Sequence, residues 1–257
     1  MADLSGIEWA LIGLAALAAG AINALAGGGT LLTFPLLTAL GIPAVEANLT
    51  NTVALCPGYL GGLLAQSGDL SQQRRRLWLF LPIGAIGGIV GGALLLHTGE
   101  RAFRALVPYL ILFAAGLLAC QEGLRGWLLR GPGRKDSALR LEVWGALPVF
   151  LAAVYGGYFG AGLSVIVLAV LGLTAEDTLI RLNALKQGIG FVVNVAAAAF
   201  LALSGRVDWP VAMVMAAGAL VGGALGGRLA GRMNPGLLRS AVVAVGVVVA
   251  GLYLARG

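Results

Sequence analysis

The sequence predicts an all-α polytopic membrane protein built from two internal repeats of about five apolar segments each. Of its 257 residues, 59% are hydrophobic and only 11% are charged. The mean hydropathy is +0.94, which lies outside the range of soluble proteins. Apolar stretches of helical length recur along the chain, and the two halves of the chain resemble each other in sequence.

Most of the apolar segments are long enough to cross a bilayer core, which requires about 20 helical residues. The segments cover residues 8–26, 29–41, 47–65, 77–96, 103–121, 143–158, 161–173, 178–203, 209–227 and 237–254. Segments 29–41 and 161–173 have only about 13 residues, the length of a broken or re-entrant segment. The N-terminus lacks a basic region and a small-residue cleavage site, so we expect the first segment to be retained.

The basic residues cluster in two loops, although the chain carries a net charge of only +6. Arg74–Arg76 follow the third segment, and further arginines fill the polar stretch from Glu122 to Glu142. Such clusters mark cytoplasmic loops, and without interleaved aromatic residues they do not indicate a nucleic-acid partner. We therefore expect a multi-pass protein embedded in the lipid bilayer of the cytoplasmic membrane. The predicted units are a first transmembrane repeat (1–124), a cytoplasmic basic linker (125–141) and a second transmembrane repeat (142–257).

The internal repeat is visible as a series of matches in the same order in both halves. The matched pairs are GGIVGGAL (87–94) with GALVGGAL (218–225), Trp78 with Trp209, AGGGT (26–30) with FGAGL (159–163), and Asn51 with Asn183. If the short segment crosses the membrane, each repeat has an odd number of spans and the repeats are inverted; if it is a hairpin, they are parallel. The distribution of basic residues barely separates these alternatives, and a basic-free N-terminus placed outside favours inversion.

Glycines interrupt the helix in both halves just before the short segments. They are Gly27, Gly28 and Gly29 in the first half, and Gly160 and Gly162 in the second. Backbone that is not helical survives at membrane depth only where it is buried in protein or lines a wet cavity. A bare backbone also lets a ligand approach closely, and N–H groups at a helix start attract anions. Both breaks are therefore candidate substrate sites, whereas GGIVGGAL is more typical of close helix packing.

Two stretches, AGAINALAGGGTLLTFPLL and GIPAVEANLTNTVA, resemble the signature of TauE/SafE-type sulfite and organosulfonate exporters. The resemblance covers essentially the whole chain. It implies a secondary carrier for small sulfur-containing anions, or for related organic anions. Within this motif Asn23 precedes the glycines and joins the candidate site. The second half departs from the pattern, because Gly156 aligns with Asn23 and Ala161 aligns with Gly28.

Polar residues inside segment 178–203 provide an independent indication of an anion carrier. Asn183, Gln187, Gly190 and Asn194 recur at helical spacing and share one face. Lys186 lies about 12 Å along the helix from its start, where a cation is costly unless it faces a partner or a cavity. No acidic residue lies deep in any apolar segment to neutralise it, so the substrate is a candidate partner. The alternative is that Lys186 extends its ammonium group back to the cytoplasmic interface.

The corresponding helix of the first half carries Asn48, Asn51 and Thr52 on one face. Their amide and hydroxyl groups suit an oxyanion, although hydrogen bonding between helices is the alternative. We expect Glu46 to interact with the start of this helix and His97 to lie at the membrane interface. The candidate substrate-binding residues are Asn23, Gly27, Gly28, Gly29, Asn48, Asn51, Thr52, Gly160, Gly162, Asn183, Lys186 and Gln187.

The function we predict is export of sulfite, sulfoacetate or related organosulfonates by alternating access. The alternative is an anion channel, or a carrier for other small organic anions such as carboxylates. An intramembrane serine hydrolase is excluded because Ser164 has no GxSxG setting and the only histidine, His97, ends its segment. No catalytic residue or cofactor is predicted, and Cys56 and Cys120 lack the spacing of a metal site. The glycine-rich faces also suggest a homodimer.

Overall fold

The computed structural model describes residues 4–25, 27–65, 70, 73–129, 145–174, 177–229 and 235–256, and in these ranges it contains helices and no strands. The helices are α1 (Gly6–Leu25), α2 (Thr30–Ala39), α3 (Ala44–Ala65), α4 (Arg74–Thr98), α5 (Glu100–Leu129), α6 (Ala146–Tyr158), α7 (Leu163–Thr174), α8 (Leu179–Ala202), α9 (Trp209–Leu229) and α10 (Pro235–Arg256). Six of them, α1, α4, α5, α8, α9 and α10, are long and apolar enough to cross a membrane. The predicted all-α polytopic membrane protein is thereby confirmed.

The two short segments form short helices, with 10 residues in α2 and 12 in α7. Helix α6 has 13 residues and is thus shorter than its apolar segment, 143–158, indicated. The predicted linker 125–141 overlaps the end of α5, which continues to Leu129. The rest of that linker falls on residues 130–144, outside the described part of the chain.

Hydrogen bonds and ion pairs near the helix ends show which ends lie on the same face of the molecule. The Glu100 carboxylate, at the turn between α4 and α5, accepts hydrogen bonds from the Ala44 and Val45 N–H groups (2.6 and 2.9 Å). The start of α3 therefore lies beside that turn, and we call this end of the molecule the Glu100 face. At the other end Arg76, in the first turn of α4, forms an ion pair with Asp177, just before α8 (2.6 Å). We call that end the Arg76 face.

The second half can be oriented by the same reasoning. Asp208, just before α9, donates its N–H to the Thr50 hydroxyl of α3 (3.0 Å), so α9 begins at the Glu100 face. Arg239, near the start of α10, donates to Glu122, near the end of α5 (2.8 Å). Helices α5 and α10 are therefore antiparallel, and α10 begins at the Arg76 face.

Glycine stripes allow the closest helix contacts. A Cβ atom at Gly222 of α9 would lie 1.9 Å from the Leu17 carbonyl oxygen of α1, and one at Gly91 of α4 would lie 2.1 Å from the Val154 carbonyl oxygen of α6. GGIVGGAL and its counterpart therefore pack helices within the chain, as their spacing indicated. Because the chain's own helices cover these glycines, they give no support to the predicted homodimer.

The packing of one half on the other is reciprocal. Helix α1 packs on α9 and α6 on α4, α3 packs on α9 and α8 on α4, and α3 contacts α8 at the centre. Helices α5 and α10 pack together and each contacts the short helix of the other half. Phe34 of α2 meets Phe159 edge to face, with ring centroids 5.5 Å apart. This buried aromatic contact holds the first short helix against the second helix break.

Candidate functional site

The two helix breaks of the sequence lie against each other in the centre of the molecule. Gly27 and Gly28 have φ angles of 75° and 106°, and Gly160 and Gly162 have φ angles of 81° and 78°. Glycine alone adopts this left-handed region without a steric penalty. In the first break the residues with positive φ are adjacent, at positions 27 and 28. In the second break they are separated by one residue, at positions 160 and 162. Ala161 can therefore replace a glycine there without strain.

A small polar cavity lies between the breaks, with a volume of about 20 Å³. Its lining comprises Asn23, Ala24, Gly27, Gly28, Tyr59, Gly160, Gly162, Leu163, Ser164, Lys186 and Gln187. The structure thus brings together candidate residues from both halves, from both breaks and from α8. The volume accommodates about one water molecule, less than a sulfite ion with its four heavy atoms requires.

Two polar groups of the cavity wall have no hydrogen-bond partner among the described residues. Asn23 Oδ1 accepts a hydrogen bond from the Gly29 N–H (2.7 Å), which caps the start of α2, but its Nδ2 is buried without a partner. The Ser164 hydroxyl is also buried without a partner. A buried donor left unsatisfied costs about 1–3 kcal/mol. Both groups are therefore suited to donate to a ligand or a water molecule in the cavity.

Lys186 lies at the cavity wall, half-buried, on the first part of α8. Its Nζ donates a hydrogen bond to Asn183 Oδ1 (3.1 Å), one helical turn closer to the Arg76 face. Asn183 does not line the cavity but orients the lysine, whereas Gln187 lines it directly. Among the lining residues that the structure describes, Lys186 carries the charge, and none is an aspartate or a glutamate.

Asn48, Asn51 and Thr52 of α3 do not line the cavity. Asn48 Nδ2 donates to the Tyr158 carbonyl oxygen (2.8 Å), and Asn51 Oδ1 accepts from the Thr33 hydroxyl. The Thr52 hydroxyl donates to the Asn48 carbonyl oxygen of its own helix (2.9 Å). Asn48 and Asn51 connect α3 to α6 and α2, which matches the alternative of hydrogen bonding between helices. Their contact with substrate stays a prediction, and Asn48 Oδ1 is buried without a hydrogen-bond partner among the described residues.

Helix α3 begins with a capping interaction that the sequence did not reveal. Glu46 lies in its first turn as expected, but it is half-exposed and forms only a 3.9 Å ion pair with Arg206. Glu100, 56 residues from Ala44 in sequence, binds the free N–H groups instead. His97 is exposed at the end of α4, consistent with the predicted interfacial position.

Sequence reasoning missed two polar residues of the cavity wall, Tyr59 and Ser164, and two apolar ones, Ala24 and Leu163. Ser164 was weighed only as a catalytic nucleophile. The spacing from Asn48 to Tyr59 in α3 equals the spacing from Asn183 to Asn194 in the polar stripe of α8. Helical periodicity could therefore have identified Tyr59 as part of the same face as Asn48. Tyr59 lies beside the cavity on α3, which packs against α8.

The two halves contribute different donors, and packing explains why. A Cβ atom at Gly156, the position aligned with Asn23, would lie 2.6 Å from Leu163 Cδ2. An asparagine there would require the Leu163 and Val193 side chains to move. The cavity therefore receives an amide from the first half, and a hydroxyl group and an ammonium group from the second.

Comparison with known proteins identifies the family of this chain. The sequence model of the sulfite exporter TauE/SafE family matches residues 12–254. A probable membrane transporter protein of Haemophilus influenzae is 30% identical over 227 residues, which cover 86% of this chain and 85% of that protein. The probable membrane transporter protein YfcA of Escherichia coli K12 is 28% identical over 249 residues, 93% of this chain and 87% of its own length. The probable membrane transporter protein ORF9 of a Sinorhizobium species is 28% identical, covering 99% of this chain and 95% of its own. No solved structure matches significantly.

Proposed function

We propose that this chain, which belongs to the sulfite exporter TauE/SafE family, is a secondary transporter that exports small sulfur-containing anions across the cytoplasmic membrane. Sulfite, sulfoacetate and related organosulfonates are the substrates we propose. Family membership and the named relatives identify a multi-pass membrane transporter and not an enzyme. The observation that supports these substrates is that Lys186 and the unpartnered donors of Asn23 and Ser164 line one cavity.

The chemistry of this cavity suits a compact oxyanion. The oxygens of a sulfonate or of the sulfite dianion accept hydrogen bonds, and the wall offers an amide donor, a hydroxyl donor and a compact cation. Gly27 and Gly160 have no side chains, so an anion can approach the backbone at the breaks. A carrier for such a ligand needs few strong contacts, because the substrate must leave on the other side of the membrane.

The direction of the helices supports inverted repeats. The first half begins at the Glu100 face, because α1 runs parallel to α9, with Gly13 against Gly218 and Leu17 against Gly222. It ends at the Arg76 face with α5. The second half begins at the Arg76 face with α6, which runs parallel to α4, and ends at the Glu100 face with α10. The positive-inside rule, applied to Arg74–Arg76, supports a cytoplasmic Arg76 face.

The size of the cavity supports alternating access. An anion of four heavy atoms fits only after the two breaks move apart, so the conformation described here is closed around the site. A carrier passes through such a state between its inward-open and outward-open forms. A conducting pore instead needs a continuous path wide enough for the ion.

Transport in proteoliposomes tests this function. We expect purified protein to exchange internal unlabelled sulfoacetate for external labelled sulfoacetate, and we expect sulfite to compete for this exchange. The matched control is the Lys186→Met variant, which we expect to exchange slowly. Unitary currents in planar bilayers would contradict the carrier. Exchange of small carboxylates that sulfite and sulfonates do not inhibit would contradict the substrate class.

A further inference from the structure

A second and larger cavity, of about 650 Å³, opens on the Glu100 face between α2, α5 and α10. Pro108 of α5 and Val249, Leu252 and Leu254 of α10 form its apolar wall. Leu252 and Leu254 are each about half exposed, at 52% and 49%. We call this cavity the α5–α10 groove. It is separate from the central cavity and shares no lining residue with it.

Two arginines stand at one end of the α5–α10 groove. Arg101 and Arg104 lie one turn apart at the start of α5, and both are exposed. Within the described residues neither forms an ion pair. The adjacent carboxylate of Glu100 is engaged by the Ala44 and Val45 N–H groups. The groove therefore combines an apolar wall with a cationic end.

The internal repeat provides an arginine at the equivalent position of the Arg76 face, and there the arginine is paired with a carboxylate. At an offset of 135 residues α5 aligns with α10, so that Gly116 matches Gly251 and Arg104 matches Arg239. Because the two helices are antiparallel, Arg104 and Arg239 lie at opposite ends of the pair. Arg239 is only 7% exposed and is neutralised by Glu122 at 2.8 Å. Where Arg239 has the Glu122 carboxylate beside it, Arg104 has the open groove.

We infer that the α5–α10 groove binds an anionic phospholipid of the phosphatidylglycerol type. The phosphate takes the place that Glu122 has beside Arg239, between Arg101 and Arg104, since guanidinium groups bind phosphate oxygens in pairs. An acyl chain lies along Leu252 and Val249. The arginines are at the start of a membrane-spanning helix, at the depth of lipid headgroups, where their guanidinium groups can reach a lipid phosphate.

A lipid in this groove would also contact the first short helix. Pro35, Thr38 and Ala39 of α2 line the groove, and α2 follows directly from the glycine break at the central cavity. Thr38 accepts a hydrogen bond from the Tyr253 hydroxyl, which already joins α2 to α10. The bound lipid therefore stabilises the position of α2, and we expect this to appear as thermal stability.

Thermal unfolding of the purified protein in a neutral detergent tests the inference. We expect added dioleoylphosphatidylglycerol to raise Tm by about 3 °C or more relative to dioleoylphosphatidylcholine. The double substitution Arg101→Gln and Arg104→Gln should abolish this difference. The matched control is Arg206→Gln, an exposed arginine near the same face outside the groove, which should keep the full difference.

Two further arms separate the lipid from other occupants. Glycerol 1-phosphate presents the phosphate without acyl chains, and an equal rise in Tm at equal concentration would overturn the lipid in favour of a soluble oxyanion. Ala105→Trp keeps both arginines but fills the groove, so a full lipid effect in this variant would also overturn the proposal. An unchanged lipid effect in the double arginine variant would also overturn the proposal. So would a double variant that changes from dimer to monomer while the two lipids have equal effects on Tm, since the groove would then bind a second copy of the chain.

Discussion

Gly27 and Ser164 are in contact across the two helix breaks: a Cβ atom on Gly27 would lie 2.1 Å from Ser164 Oγ. The residues are 137 positions apart in sequence and belong to different halves. The contact closes one side of the central cavity, so the shape of each break depends on the other. Substitutions at this contact should therefore affect folding and transport together.

The substitution Gly27→Ala should lower both thermal stability and transport. It combines the strain of a φ of 75°, of the order of 1–2 kcal/mol, with the clash against Ser164 Oγ. Adding Ser164→Gly removes the clash but not the strain, so the double variant should recover part of the lost Tm. The matched control is Gly41→Ala, where φ is 88° but a Cβ atom meets nothing within 4 Å. No recovery in the double variant would show that the contact is not the cause.

Lys186→Met should weaken anion binding by roughly ten- to hundredfold while leaving the fold intact. The substitution removes the cation of the cavity wall but keeps a flexible apolar side chain, and about 1.5–3 kcal/mol is typical of a charged hydrogen bond. Lys186→Arg should restore part of the affinity, because a planar fork replaces a point charge. Ligand-dependent thermal shifts measure these affinities. Unchanged affinity in Lys186→Met would move the site away from the ammonium group and towards the glycines.

Asn51→Ala should lower stability without changing the ligand affinity of the folded protein. Asn51 accepts a hydrogen bond from Thr33 and donates one to Thr30, both on α2, and it does not line the cavity. The Thr33 hydroxyl can still donate to the Gly29 carbonyl oxygen, so the cost is that of two lost buried hydrogen bonds, about 0.5–1.5 kcal/mol each. Measuring Tm and anion affinity on the same preparation separates the two effects. A selective loss of affinity would instead restore Asn51 to the binding site.

Glu100→Ala should destabilise the protein more than Glu46→Ala does. The Glu100 carboxylate satisfies two free N–H groups of α3, which is worth about 1–3 kcal/mol for hydrogen bonds to a charged group. Glu46 forms only a half-exposed ion pair at 3.9 Å, and such pairs contribute about 0–1 kcal/mol. Chemical unfolding in detergent compares the two variants. Equal effects would contradict the assignment of Glu100 as the cap of α3.

Gly222→Ala and Gly251→Ala should change stability in opposite directions. At Gly222 the new Cβ atom would lie 1.9 Å from the Leu17 carbonyl oxygen, so α1 and α9 would have to separate. At Gly251 nothing lies within 4 Å, and alanine is the better helix former by up to about 1 kcal/mol. We expect Tm to fall in the first variant and to stay equal or rise in the second. A tolerated Gly222→Ala would contradict the close contact of α1 with α9.

The sequence by itself determined the membrane fold and much of the central cavity. Long apolar segments identify helices because every backbone group in hydrocarbon must be satisfied within the chain. Consecutive glycines and an intramembrane lysine stand out in such segments because both are costly there without a special role. For this reason Gly27, Gly160 and Lys186 could be selected from the sequence alone, and the structure brings them to one cavity.

Only the tertiary structure decided which partners the polar faces meet. Helical periodicity shows that Asn48 and Asn51 share a face, but it cannot show that this face meets α2 and α6 and not the cavity. Ser164 and Glu100 were missed for the same reason, because their roles depend on residues 137 and 56 positions away. The periodicity of a helix is a local property, whereas the neighbour of each face is set by how all the helices pack together.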